Sequence, residues 1–282
     1  MTVPLRCVET KKRSGGIDTG DQWQETNVAF FSTTYSCGPP PKARSSENGP
    51  VRGYGGKNDV IRISHAQLKP ECKIEQLREC GSDYVPFVTR TYLHEGGEKF
   101  KEACELDSKQ IACTLKFVEE CLEGLPRVAG QLAIKAMEES YEATCTEGTD
   151  QHKLYNNAVK CLNSAGTKLH KCMGSLSDTL QRATGKAPPK EVIHYSCCAY
   201  HDSLDCVEDA VSACDTDAGK EFMTGSMESI FGETLSLVCG QYSRGSAACK
   251  QLPALPELAP DETKINNVIE LAVRVASSLG KN

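Results

Sequence analysis

Beyond about residue 70 the apolar side chains of this chain recur at three- and four-residue intervals, the period of helices that bury one face. Residues 126–144 open with Pro126 at a helix start and carry Val128, Ala129, Leu132, Ala136 and Met137. Residues 218–238 carry Met223, Met227, Ile230, Phe231, Leu235 and Val238 in the same manner. Between them Leu154, Ala158, Leu162, Ala165, Leu169, Met173, Leu176 and Leu180 hold the helical period over about seven turns. Gly185 and Pro188-Pro189 end that run, and Gly166 marks a point where it would kink. A last helix is expected after Asp261, with Ile265, Val268, Ile269, Leu271, Ala272, Val275, Ala276 and Leu279 on a broad apolar side and Gly280 as its stop. Its polar side lacks the Lys/Arg density of helices that lie on membranes, so it is expected to pack on the bundle, with a partner as the alternative.

Residues 1–66 show no such period and are rich in Gly, Ser, Pro and Lys, as in Gly38-Pro39-Pro40-Pro41. They read as a loop-rich or disordered leader in which Trp23 and Phe30-Phe31 could dock locally and Cys7 and Cys37 could close a loop. The expected organisation is this leader, a cysteine-rich helical body over 67–250, a Pro-punctuated connector over 251–260 and a terminal helix over 261–280.

Cysteine spacing gives the body its frame. Cys72-x7-Cys80-x23-Cys104 recurs as Cys113-x7-Cys121-x23-Cys145, loosely as Cys161-x10-Cys172-x24-Cys197, and again as Cys206-x7-Cys214-x24-Cys239. An aliphatic residue stands three before the second cysteine each time: Leu77, Val118, Leu169 and Val211. Each segment therefore reads as a short helix presenting two thiols and an aliphatic side chain inward. Eight residues of helix rise about 12 Å, beyond the roughly 7 Å limit between bridged Cα atoms, so the two cysteines of one segment must each reach another helix. Which cysteine meets which does not follow from spacing. Cys104, Cys113, Cys121 and Cys145 map onto Cys197, Cys206, Cys214 and Cys239 with offsets of 93, 93, 93 and 94, the mark of a duplicated pair of helical hairpins, about 67–145 and 150–250. Cys198 and Cys249 stand outside the frame, and a bridge between them is the favoured use of both.

The expected fold is thus an all-α, disulfide-stapled bundle of repeated hairpins. Sixteen cysteines in 282 residues is roughly three times ordinary usage. No C-x2-C pair of the zinc or redox type occurs, so disulfides and an oxidising, extracellular compartment are expected. The first thirty residues hold Lys11-Lys12-Arg13 and no apolar run of seven or more, so a cleavable signal peptide is not read there, and the reading favours an incomplete or alternative start. No stretch approaches eighteen apolar residues, so no transmembrane segment is expected. Net charge is −6, with ten Lys/Arg against six Asp/Glu in residues 1–70 and the acidic excess in the helical part, which argues against a nucleic-acid partner.

Candidate chemistry is sparse. Cys197-Cys198-Ala199-Tyr200-His201-Asp202 resembles the C-C-x-x-H-D helix of secreted phospholipases A2, and that resemblance would make His201 the general base and Asp202 a calcium ligand. The family's glycine-rich calcium loop is absent, and this hydrolase reading ranks as a remote alternative. His194, Cys198, His201 and Asp205 share one helix face and could offer metal ligands in pairs, but three helical turns cannot wrap one ion. His65, His94, His152 and His170 stand in polar surroundings and read as surface residues. No hydrolase, metalloprotease, phosphate-loop or dinucleotide motif is present, and no catalytic residue, metal ligand or cofactor is assigned. Neither does an N-glycosylation sequon occur.

The run F-V-E-E-C-L-E-G-L at 117–125 and the closing L-V-C-G-Q-Y-S-R-G-S-A-A-C at 237–249 resemble the cysteine-rich helical haemolymph glycoproteins of insects, of the twenty-seven-kilodalton type, and related secreted proteins of ticks. The resemblance rests on cysteine framing over roughly 70–250 and implies secretion into haemolymph or saliva without catalytic residues. The expected function is a non-enzymatic extracellular binding protein for an apolar small molecule or a protein partner. Met137, Met223, Met227 and Phe231 are the candidate lining of an apolar pocket, or else ordinary core filling. A structural protein acting through its surface, with no cavity, is the alternative.

Overall fold

The structure, a computed structural model, describes residues 68–279 and, within them, every side chain outside 229–237. Expectations for Cys7, Cys37, Trp23, Phe30-Phe31, His65 and Gly280, and for the side chain of Phe231, fall outside these. The described residues are all-α, with nine helices and no strand. They run α1 Ile74–Cys80, α2 Gly97–Cys121, α3 Gly124–Cys145, α4 Asp150–Ser164, α5 Gly166–Lys186, α6 Val192–Val211, α7 Ala218–Cys239, α8 Ala247–Gln251 and α9 Val268–Ala276.

Seven disulfides staple these helices, all with Cα separations of 5.5 to 5.9 Å. In the first half Cys72 pairs with Cys121, Cys80 with Cys113 and Cys104 with Cys145. In the second, Cys161 pairs with Cys214, Cys172 with Cys206 and Cys197 with Cys239. Numbered along each half, both follow one scheme, first to fifth, second to fourth, third to sixth. Two halves that share a bonding order as well as a spacing support descent from one duplicated unit. Cys198 joins Cys249, outside both sets, and Cys113 does not bond Cys121. The aliphatic residue of each segment is core: Leu77, Val118, Leu169 and Val211 are all buried.

The Cys-x7-Cys segments are not short independent helices. Cys113 and Cys121 lie in the last three turns of the long α2, Cys72 precedes α1, and Cys214 follows α6. The long run from residue 150 is broken outright rather than kinked, because Ala165 ends α4 and starts α5. The cause is tertiary. A Cβ at Gly166 would stand 1.8 Å from the Thr91 carbonyl oxygen, so only glycine admits the segment that crosses there. Gly130 serves the α2–α3 hairpin similarly, with a Cβ position only 2.9 Å from Val118 Cγ1.

The terminal helix is shorter than its apolar pattern. It starts at Val268, capped by Asn267, whose Oδ1 accepts from the backbone N–H groups of Ile269 and Glu270 at 3.0 and 3.1 Å. Asp261 caps nothing, because residues 263–265 are held extended by Gln181 of α5. Its Nε2 donates to the Thr263 carbonyl and its Oε1 accepts from the Ile265 N–H, both at 2.9 Å. As expected, α9 packs on the bundle, burying Val268, Ile269, Leu271 and Val273 against α1, α3, α5 and α6.

Two apolar cores result. One is centred on α4 to α7 around Tyr155, Leu162, Leu169, Val207 and Phe222. The other gathers α1 to α3 and α9 around Leu77, Ile111, Val118, Ile134 and Leu271. No described helix is long and apolar enough to cross a membrane.

Candidate functional site

Between the two cores lies a cavity of about 290 Å³. Both halves build its wall: Val118, Leu122, Ala133, Ile134 and Met137 from α2, its end and α3, Met173 and Leu176 from α5, Tyr200 from α6, Phe222, Met223 and Met227 from α7. One further side is closed by Val268, Ile269, Ala272 and Val273 of α9. Met137, Met223 and Met227 stand on this wall, and Met173 joins them. Unbranched thioether chains adapt to an occupant's shape at little cost, which suits a wall of this kind.

The remaining side is a non-helical strap, residues 82–94, which the hydrophobic pattern does not reveal. Its backbone is held by side chains of four helices, α2 to α5. From α2, Gln110 Oε1 accepts the Asp83 N–H at 2.9 Å while its Nε2 donates to Asp83 Oδ2 at 3.0 Å. Asn163 of α4 matches both backbone groups of Leu93, accepting its N–H at 2.7 Å and donating to its carbonyl at 2.9 Å. His170 Nδ1 donates to the Phe87 carbonyl at 2.9 Å, and Tyr141 donates to the Tyr84 carbonyl. Tyr155 closes the end by donating to the His94 carbonyl at 2.6 Å. Phe87 needs this support, because its φ of 60° lies in the left-handed region that an aromatic residue rarely enters.

Tyr84, Arg90, Leu93 and His94 of the strap face the cavity and meet Asp107 of α2 there. This is the polar end of an otherwise apolar space. Asp107 is buried at 7 % exposure, and its Oδ1 has no hydrogen-bond partner; Arg90 Nη2 comes only to 3.9 Å. Burial pushes the Asp107 carboxyl up to about 6, with Arg90 opposing and Asp83 adding to the rise. Burial likewise pushes Tyr84 up to about 12, so its hydroxyl stays protonated opposite Thr114 Oγ1 at 3.0 Å. The signal for this end was present in α2: Asp107, Gln110 and Thr114 stand at i, i+3 and i+7, a polar stripe on the face that also carries Ile111 and Val118.

A carboxyl whose folded pKa is raised binds its proton more tightly folded than unfolded. Its penalty is absent below the unfolded value near 4 and grows as pH rises through about 6. Asp107→Asn should therefore raise stability by roughly 1–3 kcal/mol at pH 7.5 and leave it unchanged at pH 4, measured as urea unfolding midpoints.

The other candidates dissolve into structure. Cys198 is in its disulfide with Cys249. Asp205 is committed to Arg244, whose Nε lies 2.6 Å from its Oδ1 and whose guanidinium also holds Glu208. His194 stacks on Tyr242 with ring centroids 4.0 Å apart. Burial, with Arg244 nearby, holds His201 below its ordinary pKa, while burial and Asp205 raise Asp202. Among the described residues no group of three or more His, Cys, Asp or Glu could hold a metal. His94, His152 and His170 are half-buried rather than surface residues. His170 bonds the strap, and His152 Nδ1 donates to the Thr144 carbonyl at 2.8 Å. Polar neighbours in sequence misplace these rings, because an imidazole N–H pairs well with a backbone carbonyl that helix packing brings close.

Comparison with known proteins finds no family model, no curated protein and no solved structure that the chain matches.

Proposed function

We propose that this protein is a non-enzymatic extracellular carrier that holds an apolar small molecule in the cavity between its two cores. The observation that carries the reading is the cavity itself, about 290 Å³ of space walled by methionine, aromatic and aliphatic side chains inside a body tied by seven disulfides. A well-packed core would leave few voids larger than one water, and an apolar void of this size is a standing loss of dispersion contacts that an occupant recovers. Small-molecule sites are concave, mostly apolar and fitted with a few convergent polar groups, and the strap supplies such a group at one end. The disulfides favour an oxidising compartment, and the resemblance to haemolymph and salivary proteins would place the carrier there.

The test is displacement of a neutral fluorescent apolar dye from the oxidised protein by ten-carbon chains and by a sterol. Saturable displacement at one molecule per chain is the expected result; no displacement by any of them would sink the carrier reading.

A second reading, a protein acting through its surface, has one observation behind it. Leu125, Val128 and Leu132 stand at i, i+3 and i+7 on α3 and are each more than half exposed. If the dye does not bind, this stripe becomes the feature that needs explaining.

A further inference from the structure

Resting on the carrier reading, we infer that the cavity selects a neutral amphipathic alcohol, whose hydroxyl donates to the Asp107 carboxylate while its apolar body fills the space between the cores.

The polar end is built to accept a hydrogen bond and lacks the donor. The Asp107 side chain is nine-tenths buried, lines the cavity, and has at Oδ1 a sealed oxygen without a partner. A buried carboxylate left so is costly, and in most proteins such groups are paired. Arg90 does not serve, because its Nη2 donates to the Asp83 carbonyl at 3.1 Å and stays 3.9 Å from Asp107. Tyr84 does not serve either, since its hydroxyl is engaged with Thr114. A ligand entering the cavity is the remaining source of a donor, and it would reach the carboxylate through the part of the side chain that is open to the cavity, since Oδ1 itself is sealed.

The charges at this end decide what kind of donor. Asp107 on the cavity wall and Asp83, which lies behind it and raises its pKa, set two carboxylates against the guanidinium of Arg90, so an anionic head such as a fatty-acid carboxylate would enter a site already in negative excess. An ammonium head would offset the charge but would have to leave water for a largely apolar cavity, which is far more expensive than burying a hydroxyl. A neutral O–H donates without either cost. His94 adds no compensating charge, because burial, Arg90 and Lys99 hold it below its ordinary value, and Lys99 beside it is opposed by Glu102.

The experiment compares 1-decanol, its methyl ether and decanoate as competitors for the neutral dye at pH 8, on the oxidised full chain and on Asp107→Leu. The ether keeps the shape and the oxygen but cannot donate. The wild type should bind decanol about tenfold or more tighter than the ether, as expected for a hydrogen bond to a charged group, with decanoate weakest. Asp107→Leu should bring alcohol and ether within about twofold of each other. Asp107→Asn, which keeps the shape if leucine is not accommodated, should narrow the preference, since its amide can donate to the ether oxygen as well as accept from the alcohol. Equal binding of alcohol and ether by the wild type, tightest binding of decanoate, or a preference that survives both substitutions would overturn the inference while leaving the carrier reading standing. Failure of all three to displace the dye would remove both.

Discussion

Replacing Cys172 and Cys206 together by alanine should cost about 4 kcal/mol of stability, read as a fall in the urea midpoint. The bond spans 34 residues, and releasing that loop in the unfolded chain accounts for most of the loss. It also joins α5 to α6, and Cys172 is itself buried in the core centred on α4 to α7, so the native state loses packing as well. The Cys80–Cys113 bond holds the equivalent place in the first half across 33 residues, and its removal should cost about the same. Removing Cys198–Cys249 should behave differently although its loop is longer, because it fixes the five-residue α8 and the connector rather than a core helix pair. There the expected change is local opening of residues 240–262, seen as faster amide exchange, with a much smaller global loss.

Glu270→Ala should be the most damaging change of a single side chain, at about 3–5 kcal/mol. Glu270 sits on α9 with no exposed surface, a carboxylate surrounded by core. Burial alone would favour its protonation, but Arg78 and Arg274 outweigh it and the pKa falls below the usual value. Arg78 grips both carboxylate oxygens, Nε to Oε2 at 2.6 Å and Nη2 to Oε1 at 2.9 Å, while Arg274 Nη2 holds Oε1 at 2.8 Å. Removing the acid leaves Arg274 largely buried and without its anion. The pair links positions 192 residues apart and fastens α9 to α1, so α9 should open first and expose the cavity. Amide exchange should therefore rise selectively in 268–276, and dye binding should fall with it. Since the folded pKa is lowered, the stabilisation is present above the unfolded value near 4.3 and disappears as pH falls through the folded one.

The outcome for each element follows from what kind of interaction decided it. The cysteine frame with its 93-residue offsets announced the duplicated hairpins, the inward aliphatic positions and the rule against bonds within a segment, because spacing along a helix fixes direction. It could not say that Cys72 meets Cys121 rather than Cys113, since either pairing satisfies the same period. The break at Ala165 was hidden because its cause, the Thr91 carbonyl, is more than seventy residues away in sequence. The first turns expected after Asp261 fail for a similar reason: Gln181 binds that backbone extended, and a tertiary pair of hydrogen bonds outweighs local propensity.

The site divides in the same way. Met137, Met223 and Met227 could be named from their helix faces, but whether they filled a core or walled a space depended on how far apart the two halves pack. The strap 82–94 has no period of its own and was invisible; its trace was indirect, in polar residues on faces otherwise apolar. Gln110 and Thr114 on α2, like Asn163 on α4, break the pattern of their helices because each satisfies strap backbone or a strap side chain. Asp107 breaks it too, but meets the strap only through Arg90 at 3.9 Å and has no hydrogen bond at Oδ1.

The most direct measurement is ligand affinity after the cavity is filled from within. Ala133 lies on its wall, and Ala133→Phe would place a ring in the space without touching the Asp107 end or any disulfide. The account predicts that this variant unfolds at the same or higher urea concentration than the wild type and binds apolar ligands at least about tenfold more weakly. Unchanged affinity in a stable Ala133→Phe protein would contradict it, because the ligand would then be held somewhere other than between the two cores.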